Sequence, residues 1–574
     1  MDQTMESNYE LKRKLKMQVD TLIENGLVFN TFSQKFERKD IAIENGKILM
    51  VGVNLQFDAK KIVDAHDRYI IPGLIDSHMH IESSMTDPAH FGNEAVKFGT
   101  TTVIADAHEI SNVAGIKGLK DFMAQKSIID VFYALPSSVP STRTEMETTG
   151  GVIGLKETEE LLKDPRIVCL GEAMNFKGIV SQPESLIRQL IKLCKELRPT
   201  MPLEGHCPQY SGLDLAKFAA SGITSDHTYQ TPTSIVERIN NGMFIQFQKK
   251  SMSKENMQTI IDHNFYEYAA FVTDDVMADD LVNGHLNIIV KEAIDMGMPA
   301  EKAIYMATYT PARRMSLNDR GAIAPGRVAD LIFLDDPQRF NIQEVYKSGQ
   351  LSTDITPLQP EFPASLKNSV KVKKITTADL ELSSDKTSVL ANVIEINQQG
   401  TFTKHVQERL AVKNGLVDWQ SSGLSLLMVQ ERYGKNGNIS FALVKNALNK
   451  SGAIGTTWAH DHHNLMVMGT DLESMVVAQH ELIDEQGGYV VVKHGQLVAN
   501  APLNIGGIIS SKPVVELAEE IKQVRTEMQN LGYHNFNEIM SFSTISLLVS
   551  PELKISDVGM FDVKSQRKVP LFEE

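Results

Sequence analysis

Pro72-Gly73-Leu74-Ile75-Asp76-Ser77-His78-Met79-His80 is an apolar run that ends on two histidines one residue apart. Alternate side chains of a strand share a face, so His78 and His80 project to the same side. Tyr69-Ile70-Ile71 precedes them, and the whole stretch reads as a strand buried on both faces. Two imidazoles at the end of such a strand can grip one metal ion. An isolated His-x-His is more often a pair of core or surface histidines. Here the pattern recurs, because His, Asp and Glu residues close other apolar runs downstream.

Those runs are 69–76, 99–106, 129–136, 168–174, 202–207, 222–228, 243–248 and 267–275. Amphipathic segments lie between several of them, such as Ser185 to Cys194 and Asp214 to Ala220. Strand and helix alternating eight times over roughly 250 residues predict an α/β chain with a (β/α)8 TIM-type barrel, whose active site sits at the carboxyl ends of its strands.

Short β-like runs flank this middle on both sides. Thr21-Leu22-Ile23, Asp40 to Ile43 and Ile48 to Val51 are separated by Asn25-Gly26 and Asn45-Gly46, which are hairpin signals. A similar piece, Ala324 to Leu334 and Val345 to Gly349, follows the middle. The expected organisation is a small β-sandwich built from 1–68 and 324–365, with the barrel, 69–323, inserted between its halves. Residues 366–574, where strand-like and helical runs mix, are expected to form a separate C-terminal α+β domain.

The chain has 574 residues, 57 basic and 72 acidic, for a formal charge of −15. That balance argues against nucleic acid or an anionic membrane as partner, since both need a basic footprint. It leaves room for a small neutral substrate. The three cysteines, Cys169, Cys194 and Cys207, form no CxxC pair, so a reducing cytoplasm is expected rather than a disulfide framework. Met1 to Lys16 is charged and has no apolar core of a secretory signal. A homo-oligomer is expected on the general habit of large barrels. No P-loop, dinucleotide fingerprint or H-x-E…P-C-x-x-C deaminase signature is present.

The strand ends assemble the chemistry. The first run gives His78 and His80, the fourth Glu172, the fifth His206, the sixth His227 and the eighth Asp274. Four histidines and two carboxylates exceed one tetrahedral zinc and suit two metals that share a carboxylate. Water held between two such ions becomes a nucleophile near neutral pH. Asp274 is placed to orient it and carry its proton.

The motifs are specific. Residues 72–85 (PGLIDSHMHIESSM), 99–113 (GTTTVIADAHEISNV), 171–175 (GEAMN), 225–227 (SDH), 273–275 (TDD), 319–331 (DRGAIAPGRVADL), 459–464 (AHDHHN) and 569–572 (VPLF) together resemble the amidohydrolase superfamily. Within it, the chain is similar to the prokaryotic, barrel-type adenine deaminases over almost its whole length. The resemblance implies hydrolysis of adenine to hypoxanthine and ammonia by a metal-bridging hydroxide, in purine salvage or adenine catabolism. It implies two divalent ions, manganese or iron, with zinc chemically admissible. It further implies that Glu172 bridges them, that His78, His80 and Asp274 hold one, and that His206 and His227 hold the other. Catalytic roles fall to Asp274 and Glu172. Glu82, Asp106, His108, Glu109, Asn175 and Asp275 become candidate substrate-binding residues.

Two alternatives remain: a related enzyme acting on another cyclic amidine, amide or aminopurine, and a catalytically silent scaffold. Thr228 and Val276 stand where the family commonly has Glu and Arg, and Cys207 stands where it commonly has Ala. Each of Thr228 and Val276 follows a proposed ligand strand and is expected at the mouth, where its lack of charge should weaken purine binding. The His460, His462 and His463 cluster is expected to serve a loop or an interface rather than a further metal.

Overall fold

The computed structural model describes residues 17–573; the charged segment Met1 to Lys16 lies outside them. Five parallel strands, Leu74–Met79, Thr100–Ala105, Asp130–Leu135, Ile167–Ala173 and Leu203–Gly205, follow one another in sequence order. Three more, Ser225–Asp226, Phe244–Phe247 and Ala269–Phe271, continue in the same sense. Thr224 N donates to Leu203 O at 2.9 Å, which joins the two groups. At the other seam Asp274 N donates to His78 O and His80 N to Asp274 O, both at 3.2 Å. The curled parallel sheet thus returns to its first strand, consistent with a TIM-type barrel. Every residue of Leu74–Met79, Thr100–Ala105 and Ile167–Ala173 is buried, as expected for strands covered on both faces.

The apolar run 69–76 is two strands, not one. Tyr69–Pro72 pairs with Gln18–Asn30 and antiparallel with Leu331–Leu334, so it belongs to the flanking sheet. Gly73 N then donates to Asp330 O, and Leu74 N to Gly99 O, both at 2.9 Å. The chain changes sheets at Gly73, and a Cβ there would sit 2.1 Å from Thr101 Oγ1. The two halves of the flanking β region share one eight-stranded sheet. Its core joins Ile23, Ile41, Ile43, Ile70, Leu331 and Phe333.

The C-terminal region carries a nine-stranded mixed sheet running from Leu416–Val417 to Gln496–Pro502, with helices Leu472–Asp484 and Val514–Asn530. One apolar cluster is continuous from Met79, Ile81, Met85 and Ile110 of the barrel to Trp458, Ile505 and Ile508. The polar contacts between them fall on loops that follow barrel strands: Ser510 N to Met85 O at 2.8 Å, Lys435 Nζ to Thr149 O at 2.6 Å, and Arg525 to Asp279 at 2.7 Å. This region therefore covers the carboxyl-end face of the barrel. Among the described residues no helix is long and apolar enough to cross a membrane. The three cysteines are buried and unbonded.

His285, just before helix Leu286–Asp295, is buried between Thr100 Oγ1 (2.9 Å from Nδ1) and Thr273 Oγ1 (3.3 Å from Nε2). Burial pushes its pKa down to about 3 from 6.5. Below 6.5 the unfolded chain takes up a proton that the folded chain refuses. Stability is therefore full above that pH and is lost as the pH falls towards 3, at about 1.4 kcal/mol per pH unit for one proton. His285→Gln is expected to flatten the dependence of urea-unfolding free energy on pH between 6.5 and 4 relative to the native chain. An unchanged slope would show that this imidazole is not held neutral.

Candidate metal centre at the barrel mouth

The six proposed ligands meet at one end of the barrel. His78 Nε2 and His80 Nε2 lie 3.6 and 3.5 Å from Asp274 Oδ1. Glu172 Oε1 lies 3.3 Å from His80 Nε2. Its other oxygen, Oε2, lies 2.8 Å from His206 Nδ1 and 3.1 Å from His227 Nε2. Those two imidazole nitrogens are 3.1 Å apart. Glu172 thus turns one oxygen to each of two donor groups. All six are buried except His206, whose side chain is 32% exposed.

The local sequence accounts for this placement. Strand alternation puts His78 and His80 on the same side, and His80 Nδ1 is fixed at 2.9 Å from Asp106 O. Glu172 N donates to Asp106 Oδ2 at 2.8 Å. Gly171 permits the approach, because a Cβ there would meet that oxygen at 2.2 Å.

Burial alone would neutralise these groups, and their mutual attraction overrides it. Burial would raise Glu172, yet His227 and His206 hold it well below the ordinary carboxylate range. Burial would lower His80, yet Asp274 and Glu172 hold it well above 6.5. His227 is raised to about 9 against burial, chiefly by Glu172. His78 goes the other way, lowered by burial and by His227. Its buried Nε2 has no hydrogen-bond partner. An imidazole with an orphaned nitrogen and a carboxylate facing two ways fit a pair of divalent cations, which would supply the positive charge that two buried carboxylates require.

Behind the ligands lies a buried hub. Asp226 accepts from Cys207 N (3.1 Å), Thr228 N (3.0 Å), Thr228 Oγ1 (3.1 Å) and Gln230 Nε2 (2.9 Å), and pairs with Arg238. Arg238 also donates to Cys207 O at 2.7 Å. The hub ties the residue after His206 to the residue after His227. It also holds Thr228, whose hydroxyl donates to Asp226 Oδ2 at 3.1 Å. A glutamate there would set a second carboxylate against Asp226. Val276 packs against the main apolar cluster. Arg238→Met should leave Asp226 buried without its cation, a loss of about 3–5 kcal/mol in unfolding free energy. Urea titration checks this, and a change within about 0.5 kcal/mol, as for ordinary surface substitutions, would remove the hub from the structural argument.

The candidate substrate residues divide. His108 is drawn in, with a ligand atom within 4.8 Å of His80 and Glu172. Glu82 is buried, accepts from Ile110 N at 3.2 Å and leaves Oε2 unpartnered; burial and the neighbouring Glu109 raise it to about 7. Asp106 is used in holding Glu172. Asp275 accepts from Ser83 Oγ at 2.5 Å. Asn175 is employed elsewhere: it caps helix Phe176–Ser181, accepting from Gly178 N at 2.9 Å. Glu109 is sandwiched by His460 and His463 from the C-terminal region. The His460 cluster is a buried interface loop whose side chains reach the mouth.

The amidohydrolase family model matches residues 69–352, and the adenine deaminase C-terminal domain model matches residues 400–567. The chain is 56% identical to adenine deaminase 2 of Oenococcus oeni, over 97% of this chain and 99% of that protein. It is 54% identical to the adenine deaminase of Lactobacillus delbrueckii subsp. bulgaricus over the same shares. To that of Clostridium perfringens it is 48% identical, over 97% of this chain and 100% of the other.

Proposed function

The chain belongs to the adenine deaminase family, and we propose that it hydrolyses adenine to hypoxanthine and ammonia at a pair of divalent cations held at the barrel mouth. The observation that carries the metal pair is Glu172, with Oε1 towards His80 and Oε2 towards His206 and His227. His78, His80 and Asp274 would hold one ion, His206 and His227 the other, and Glu172 would serve both. Manganese or iron suits imidazole and carboxylate together, and zinc is chemically admissible. When bound, the pair supplies Lewis acidity that brings the pKa of water from 15.7 towards about 7.

The chain's own groups do the rest. The water adds to C6 of the purine and the C6–N bond breaks, so one adenine and one water become one hypoxanthine and one ammonia. Asp274 takes the proton from the attacking water and delivers it to the departing amine. A residue of the mouth protonates the ring nitrogen beside C6 and takes back the hydroxyl's remaining proton as the C6 carbonyl forms. The covering C-terminal region keeps bulk water from this exchange. The same reading carries a cytosolic location and a symmetric oligomer, which fractionation and light scattering test.

The decisive experiment is ammonia release from adenine, other aminopurines and cyclic amides, run beside metal analysis. Chelation should abolish turnover of adenine, and manganese or iron should restore it. A protein that binds two metals but releases ammonia only from another heterocycle would reassign the substrate. One that binds none would leave a silent scaffold.

A further inference from the structure

We propose that the loop 457–464 of the C-terminal domain is the far wall of the substrate pocket, with Asp461 and His460 binding the five-membered ring of the base. This rests on the adenine reading above and assigns a specificity role to residues outside the barrel.

The loop joins strands Ala453–Thr456 and Leu465–Gly469 at the centre of the nine-stranded sheet. It does not behave as a lid, because its backbone is tied at nearly every residue. Trp458 Nε1 donates to Glu82 O at 3.2 Å, His460 N to Ser543 Oγ at 3.1 Å, Ser546 Oγ to His460 O at 3.0 Å, and His463 N to Ala459 O at 2.7 Å. Arg432 donates to His463 O as well. The side chains are aimed at the barrel. Asp461 Oδ1 lies 3.9 Å from His108 Nε2, and His108 in turn stands beside His80 and Glu172.

What this wall offers is unspent. Asp461 Oδ2, His460 Nε2 and Glu82 Oε2 are buried and have no hydrogen-bond partner, whereas His108 Nδ1 is turned to Asp106 Oδ1 at 3.5 Å. Buried polar atoms left unpaired are costly, so three in one neighbourhood point to a polar ligand that pairs them. A cation is the less suitable occupant. His108, Glu109 and Asp461 lie close enough to share one, but both oxygens of Glu109 are already engaged by His460 and His463.

A purine with C6 at Asp274 turns its five-membered ring away from the reacting carbon, across His108 and towards this wall. That ring bears the one N–H outside the reacting half. Asp461 accepts it, and His460 Nε2 faces an adjacent ring nitrogen. A substituent on that nitrogen would remove the N–H and run into a loop that cannot yield, so the free base is taken and 9-substituted purines are refused.

The test measures kcat and KM for adenine and 9-methyladenine in the native enzyme, Asp461→Ala and Asp461→Asn, with metal content determined for each. The native enzyme should prefer adenine by about 10⁴-fold, as sites built to bond an N–H do. Asp461→Ala should raise KM for adenine by about ten- to a hundred-fold with a smaller change in kcat, and shrink the preference. Asp461→Asn, which keeps the volume, should fall between. Unchanged KM and preference in folded variants would overturn the proposal. So would loss of a metal equivalent in either variant, which would assign the cluster to a cation. Absence of ammonia from adenine with the native enzyme would instead overturn the adenine reading itself.

Discussion

Glu172→Gln is expected to give a folded protein that holds at most one of two metal ions and turns adenine over hardly at all. The carboxylate has an oxygen for each donor group, 3.3 Å from His80 on one side and 2.8 and 3.1 Å from His206 and His227 on the other. An amide offers one acceptor and turns an N–H towards the second cation. Removing an outer partner of a metal ligand already costs about 10–100-fold in affinity or activity, and loss of the bridge should exceed that. The fold should survive, because the strand is held by its backbone: Glu172 N still donates to Asp106 Oδ2 at 2.8 Å. Metal analysis, circular dichroism and ammonia release settle the matter together. A variant with two metals and near-native turnover would remove Glu172 from the bridge.

That the six side chains meet at one mouth was legible because strand geometry is local. Period-two alternation orients His78 and His80 without any knowledge of the rest of the chain. Apolar runs that stop on a polar residue mark strand ends, and barrel order then brings distant ends to one mouth. What alternation cannot show is where one sheet hands the chain to another. Tyr69–Pro72 runs through Gly73 into Leu74 and Ile75 without a polar break, and only the partners of Pro72 and Gly73 separate the two strands. Asn175 carries a further local signal, since an asparagine directly before a helix is suited to cap it, and its Oδ1 accepts from Gly178 N.

Two parts of the site lay beyond pattern reading. Asp226 looks like a spacer in Ser-Asp-His, and its role depends on a helix that begins six residues later. Thr231 caps that helix and Pro232 opens it, which turns Ile235 and Arg238 inward on one face. The Ala-His-Asp-His-His-Asn loop is flanked by strands and so reads as a connection. Its meeting with Glu109, 354 residues earlier, follows from how one domain packs on another. No local periodicity encodes that packing.

Asp274→Asn should separate chemistry from architecture. Asp274 closes the barrel through its backbone, with N to His78 O and O to His80 N at 3.2 Å, and it does so at φ 60°. Asparagine tolerates that left-handed conformation as well as aspartate does, so the seam should hold. The amide oxygen can still face the metal beside His78 and His80, and much of the metal should remain. Proton transfer cannot remain. Against burial, His78 and His80 hold Asp274 well below the ordinary carboxylate range, so the group is ionised at neutral pH. An amide neither accepts that proton nor returns it to the amine. General acid–base transfer is worth about 10²–10⁴-fold, and kcat should fall by that factor while KM moves little. The split matters, because a defect in binding would raise KM, and a defect in folding would lower active fraction and metal content in proportion. A folded, metal-loaded variant that kept more than about a tenth of native kcat would mean that the proton travels by another route. His108, which stands beside His80 and Glu172, would then be the residue to replace next.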